Sequence, residues 1–226
     1  MGLFSLILKM AHPSNQGYRM QRIAIQKPNG NPNFIGSWVM EPTSLCDDLI
    51  DYFELHKEKQ KRGVTSGGTN IDSKKSTDIS VAPNEINMPG NEVFKEYFRS
   101  LFDCHKDYLA QWPFLSGFVE NLEIGRFNLQ RYQSGDHFQK LHTERTGLGS
   151  LHRVLAWMTY LNDVDDGGAT NFSHYNISVK PKIGKTLIWP ADWTHAHSGG
   201  IVNSGNKYIV TGWIHFPLDS GKQETD

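Results

Sequence analysis

His142-Thr143-Glu144, His197 and Lys207 are the residues of this chain whose types and spacing could carry a reaction. Two imidazoles and one carboxylate cover one face of an octahedral metal and leave three positions open. That ligand pattern suits ferrous iron and oxygen chemistry. Lys207 follows His197 by ten residues. A lysine that points into a core needs an anionic partner, and the far carboxylate of a dicarboxylate cosubstrate would supply one. The set predicts oxidation at a single metal ion, helped by a small dianion.

Each residue also has a plainer reading. On a strand, residues i and i+2 project to the same face, so His142 and Glu144 could reach one ion. The spacing alone is a weak signal, because the chain has ten histidines and Lys140 to Arg145 is a polar stretch. His195 and His197 are also two apart, and from spacing either could be the third ligand. His137, His152, His174 and His215 are read as non-ligands. Trp189, Trp193 and Trp213 are read as core side chains, with a substrate groove as the alternative for one of them.

The elements that must hold these residues are mostly strands. Glu123 to Tyr132, Arg153 to Leu161, Ile177 to Pro181, Thr186 to Trp189 and Lys207 to Phe216 are strand candidates. Turn signals separate them, among them Ser134-Gly135-Asp136, Asp165-Asp166-Gly167-Gly168 and Ser204-Gly205-Asn206. Many short strands at such spacing predict a double-sheet jelly roll. Upstream, Arg22 to Ile25 and Phe34 to Met40 read as short strands around the turn-rich Pro28 to Pro32. A helix is expected after Thr43-Ser44, with Leu45, Leu49, Ile50 and Phe53 on one face. A second is expected from Asn91 to Trp112, whose stripe of Phe94, Tyr97, Phe98 and Leu101 marks a core face. Between them, Gly63 to Ser80 lacks hydrophobic periodicity and reads as a mobile surface loop or as a cover beside the metal.

The expected fold class is α+β, mainly β: a double-stranded β-helix with N-terminal helices packed on one sheet. A chain of 226 residues suits one sizeable domain. Its expected parts are a helical stretch over 1–122, a jelly-roll core over 123–216 and a polar tail over 217–226. The balance of 23 basic and 24 acidic side chains gives no support for a nucleic-acid grip or a polybasic membrane contact. Cys46 and Cys104 are too few for a secreted disulfide framework and read as reduced thiols. The apolar start, Met1 to Ala11, is short for a membrane span and lacks a basic leader region. The expectation is a cytoplasmic protein, of a kind that suits a bacterium or a virus.

Taken in order, the motifs resemble the prolyl 4-hydroxylase branch of the 2-oxoglutarate/Fe(II) dioxygenases. Tyr132-x-x-Gly135-x-x-Phe138 resembles the run before the first iron-binding histidine. Arg153 through Tyr160-Leu161-Asn162 resembles a core strand, and Asp166-Gly167-Gly168-Ala169-Thr170-Asn171-Phe172 its following turn. Val179-x-Pro181-x-x-Gly184 and His197-x-Gly199-x-x-Val202-x-x-Gly205-x-Lys207-Tyr208 resemble the later blocks.

The resemblance implies iron on His142, Glu144 and His197, which favours His197 over His195. His195 is then a supporting or mouth residue. It implies that Lys207 pairs with the distal carboxylate of 2-oxoglutarate, with Tyr132 and Tyr160 as further cosubstrate contacts. The implied cofactors are Fe(II), 2-oxoglutarate and O2, with ascorbate as an optional reductant. The implied activity is hydroxylation of an unactivated C–H bond of a peptidyl proline, with decarboxylation of 2-oxoglutarate to succinate. A free amino acid or other small molecule is the alternative substrate, and a binding-only jelly roll is the alternative class. Glu144 is the one departure, since the branch mostly has aspartate there. The extra methylene carries the carboxylate outward by about 1.5 Å.

Overall fold

The computed structural model describes residues 19–25, 32–65, 68–118 and 122–217. The expectations for Met1 to Ala11, for most of Pro28 to Pro32 and for the tail after residue 217 lie outside the described residues. The strands are β1 (Arg19–Arg22), β2 (Gly36–Glu41), β3 (Lys61–Arg62), β4 (Thr77–Val81), β5 (Glu123–Ile124), β6 (Phe127–Gln133) and β7 (Phe138–His142). They continue with β8 (Arg153–Tyr160), β9 (Thr170–Phe172), β10 (Ile177–Val179), β11 (Lys185–Pro190), β12 (His197–Gly199) and β13 (Asn206–His215). The helices are α1 (Ser44–Leu55), α2 (Glu92–Gln111) and α3 (Pro113–Phe118).

A large antiparallel sheet runs β1-β2-β11-β8-β13-β6-β4-β3, with β5 paired to one end of β13. A small sheet runs β10-β9-β12-β7. Their facing surfaces enclose one core, as in the expected double-stranded β-helix. The long central strand β8 is buried on both sides and shows why. Leu155 and Trp157 join the core shared with the helices, whereas Ala156, Met158 and Tyr160 face the interior between the sheets. Strand alternation sorts them.

The helices cover the outer face of the large sheet. Phe98 of α2 meets Phe127 and Trp157 edge-on, with centroids 4.9 and 5.9 Å away. Tyr97 stays buried because its hydroxyl bonds to Thr159 Oγ1 at 2.7 Å, which in turn bonds to Thr186 at 2.8 Å. Cys46 and Cys104 are free, buried thiols in α1 and α2. Burial pushes the Cys46 thiol up to about 12, so both are unreactive packing groups. Among the described residues no helix is long and apolar enough to cross a membrane.

Two upstream expectations change. The first strand lies earlier, at Arg19–Arg22, where it pairs with β2. Gly63 to Ser80 is no free loop: its end forms β4, which pairs with β6 from Phe127 to Arg131. Lys75 and His137 form a further bridge, and the amide of Lys140 donates to Ser73 O at 3.2 Å. This stretch therefore lies along the edge of β7, beside the predicted site.

Candidate metal and cosubstrate site

His142 ends β7 and His197 begins β12, and the two are direct cross-strand partners in the small sheet. Partners in an antiparallel pair project to the same side, which brings together residues far apart in sequence. The imidazole centroids are 4.4 Å apart. Glu144 arrives differently. It lies in a bend beyond β7, not on the strand, so strand alternation does not explain its position. The bend is held by the Thr143 hydroxyl, which donates to Ala191 O at 2.9 Å, and by Arg153 Nη1, which donates to Glu144 O at 2.9 Å.

One donor atom from each of His142, Glu144 and His197 lies within 4.8 Å of the others. His197 Nε2 and Glu144 Oε1 are 3.3 Å apart, close to the ~3 Å between neighbouring ligands on ~2.1 Å metal bonds. Each of the two histidines has Nδ1 on a backbone carbonyl: Lys140 O at 2.8 Å for His142 and His195 O at 2.9 Å for His197. Those bonds turn the Nε2 lone pairs inward, the usual arrangement of metal-binding imidazoles. The donor set fits a divalent ion with open positions.

Local charge agrees. Burial, with His197 next, lowers His142 to about 4, so its ring is neutral and able to ligate at neutral pH. Burial pushes the Glu144 carboxyl up, but the bond to His197, the charge of the two imidazoles and the Trp213 bond outweigh it and hold the group at about 2. A bound cation would act in the same direction.

Lys207 sits on the inner face of β13, 3% exposed. Its ammonium donates to Gly168 O at 3.0 Å and lies 4.4 Å from the centre of the Tyr132 ring. No carboxylate of the described residues pairs with it, and burial lowers it to about 8. The turn at Gly167-Gly168 makes this contact possible. Both glycines have positive φ, and a Cβ on Gly167 would stand 2.1 Å from Ile201 O. Of the two predicted tyrosines, Tyr132 is the one whose ring meets the ammonium. The Tyr160 hydroxyl is bonded within the protein, to Thr170 Oγ1 at 2.6 Å and Val179 O at 3.2 Å.

His195 is buried with both ring nitrogens occupied, Nε2 on Asn33 O at 2.8 Å and Nδ1 on Thr194 Oγ1 at 3.0 Å. It supports the site through the carbonyl that holds His197. Trp189 is core, its ring 5.1 Å from that of His197. Trp193, by contrast, is 70% exposed, and the expectation that it is core fails.

The sequence names Phe138 only as part of a motif, and it gives no direct sign of Lys74 or Asp78 at the site. Phe138 stacks on His142 with centroids 3.8 Å apart and 14° between planes. Lys74 is 4% exposed, bonded to Asp78 Oδ2 at 2.6 Å and 5.6 Å from the Phe138 ring centre. Asp78 also accepts from Ser76 at 2.7 Å and Gln130 at 3.1 Å, and Gln130 accepts from Tyr132 at 2.8 Å. A buried polar network thus links the 63–80 stretch to both halves of the site. Alternation in Asp78-Ile79-Ser80-Val81 was the available signal, a half-buried strand pattern at the end of the stretch read as a loop.

Comparison with known proteins now bears on this geometry. Residues 127–215 match the 2OG-Fe(II) oxygenase superfamily. The superfamily's cofactors are Fe(II), 2-oxoglutarate and O2. The prolyl 4-hydroxylase subunit alpha-1 of Homo sapiens is 31% identical over 109 residues, which cover 43% of this chain and 19% of that protein. The chain thus spans about a fifth of the length of that curated relative. The viral collagen prolyl hydroxylase of Paramecium Bursaria Chlorella virus-1, solved as a 2OG complex, superposes with a TM-score of 0.57 at 18% identity. That match covers 90% of this chain and 98% of the viral chain. A prolyl hydroxylase from Trichoplax adhaerens, in complex with a hypoxia inducible factor peptide fragment, gives a TM-score of 0.59 at 15% identity. It covers 89% of this chain and 84% of that one. At these identities the likeness establishes the fold alone.

Proposed function

We propose that this protein is an Fe(II)- and 2-oxoglutarate-dependent hydroxylase of peptidyl proline. The observation that carries the reading is one interior holding two things: a converging His-Glu-His donor set and a buried ammonium, Lys207, without an anionic partner among the described residues. A binding-only jelly roll has no use for that cation. The likeness to prolyl 4-hydroxylases, one of them solved with a peptide, supports the substrate class.

In this reading His142, Glu144 and His197 hold the iron, and the carbonyls of Lys140 and His195 fix the ring orientation. When bound, iron with 2-oxoglutarate and O2 supplies decarboxylation of the cosubstrate to succinate and oxygen insertion into a C–H bond. Lys207 receives the distal carboxylate, so the cosubstrate enters in one orientation. That contribution is positional. Tyr132 packs beside the ammonium, and Tyr160 acts through Thr170, keeping that side of the pocket rigid. Phe172, Trp189 and Met158 line the interior with apolar surface and keep water out.

The test is turnover with Fe(II), 2-oxoglutarate and a panel of prolyl peptides beside free amino acids. Succinate formation should rise with prolyl peptides, each gaining one oxygen atom by mass. Stimulation by a free amino acid alone would move the substrate class, and no succinate under any condition would reject the reading.

A further inference from the structure

Glutamate at position 144 poses a geometric problem. Its side chain has one more rotatable bond than aspartate and can turn both oxygens to one ion or swing away. The structure holds it on one side only. Oε2 accepts a hydrogen bond from the Trp213 indole Nε1 at 2.6 Å, while Oε1 faces His197 Nε2 at 3.3 Å. The Arg153 guanidinium lies 3.7 Å from the centre of the Trp213 ring, and its Nη1 is 3.9 Å from Oε2. Arg153 is itself held by Arg145, which donates to its carbonyl and pairs with Asp192 at 2.9 Å.

We propose that Trp213, backed by Arg153, is a positioning residue that occupies one oxygen of Glu144 and leaves the other as a one-oxygen metal ligand. The proposal rests on the metal-site reading above. A carboxylate pinned at Oε2 cannot chelate, so three positions on the ion stay open for cosubstrate and O2. Pinning also restricts the extra torsion before the ion arrives, which lowers the ordering cost of a longer ligand. An aspartate here is one methylene shorter, so Glu144→Asp should draw the carboxylate away from the indole.

The experiment is a double-mutant cycle read by Co(II) binding, without turnover. Wild type, Trp213→Phe, Glu144→Asp and the double variant are titrated with Co(II) by calorimetry and by the visible d–d absorption. Trp213→Phe keeps an aromatic ring near Arg153 and removes the N–H together with the five-membered part of the indole. The expected result is an affinity loss of about 10–100-fold and a changed d–d spectrum when Glu144 is kept. In the Glu144→Asp background the same change should cost less than about threefold. Equal losses in both backgrounds would make Trp213 a general structural residue and overturn the proposal, as would no loss beside Glu144. Wild type that fails to bind Co(II) would sink the metal-site reading, and this proposal with it. Thermal melts accompany each variant. Should Trp213→Phe not fold, Arg153→Gln takes its place, with a loss of about threefold expected only beside Glu144. A loss from Arg153→Gln in both backgrounds would overturn the proposal.

Discussion

On the face of the large sheet that meets α1 and α2, Phe94, Phe98, Phe127 and Trp157 lock together ring against edge, and the Tyr97 hydroxyl finds Thr159. On the opposite face, the same strands bury Lys207 against a carbonyl and a tyrosine ring, opposite the imidazoles of the small sheet. The two buried lysines repeat the contrast at smaller scale. Lys74 is neutralised by Asp78 within the protein, whereas Lys207 has no carboxylate among the described residues. A buried charge without its counterion costs stability, and in the proposed function the cosubstrate's carboxylate supplies that counterion. In the proposed function, the outer face makes the fold and the inner face gives up some stability for chemistry.

Breaking the inner face at its ligands should have the largest effect. His142→Ala or His197→Ala should abolish succinate formation while the melting temperature stays near wild type. Retained turnover in either variant would reject the triad. The outer face should respond the opposite way. Phe98→Ala should cost about 3–5 kcal/mol of stability in a denaturant titration, and the fraction still folded should bind 2-oxoglutarate normally. A specific loss of cosubstrate affinity there would erase the distinction between the faces.

The two lysines sharpen the same point. Lys207→Met should weaken 2-oxoglutarate binding by about 100-fold or more, as for the loss of a buried charge partner, with metal binding intact and stability not reduced. Asp78→Asn should instead destabilise the protein by about 3 kcal/mol, because it leaves Lys74 buried without its anion. Its effect on cosubstrate affinity should be smaller than that of Lys207→Met. The smallest expected effect concerns pH. Burial lowers Lys207 to about 8, so the free protein loses the ammonium above that value. Cosubstrate affinity should hold below pH 8 and then fall by roughly tenfold per unit. In Lys207→Met this step should be absent.

Much of this was legible in the sequence, for physical reasons. Long strands such as β6, β8 and β13 carry enough residues for β-branched and aromatic patterning to show, and Lys207 stands out at the start of the last. The helices announced themselves through the stripe of Phe94, Tyr97, Phe98 and Leu101. The small sheet was harder. Strands β9 and β12 have three residues each, too few to display an alternation. They carry the site, so polar residues stand where a plain core strand would be apolar. Glu144 joins the His142 and His197 donors from a bend that Thr143 and Arg153 hold by side-chain bonds, which no periodicity encodes. Lys74 looked solvated because it sits in the stretch read as a surface loop, which lines up on β6 through β4.

The most direct test of the account is an anaerobic titration of the protein with Fe(II), with and without 2-oxoglutarate, followed by visible absorption. The account predicts a metal-to-ligand charge-transfer band that needs both components and is lost in His197→Ala. Folded wild-type protein that shows no such band would contradict the claim that this interior assembles iron and 2-oxoglutarate together.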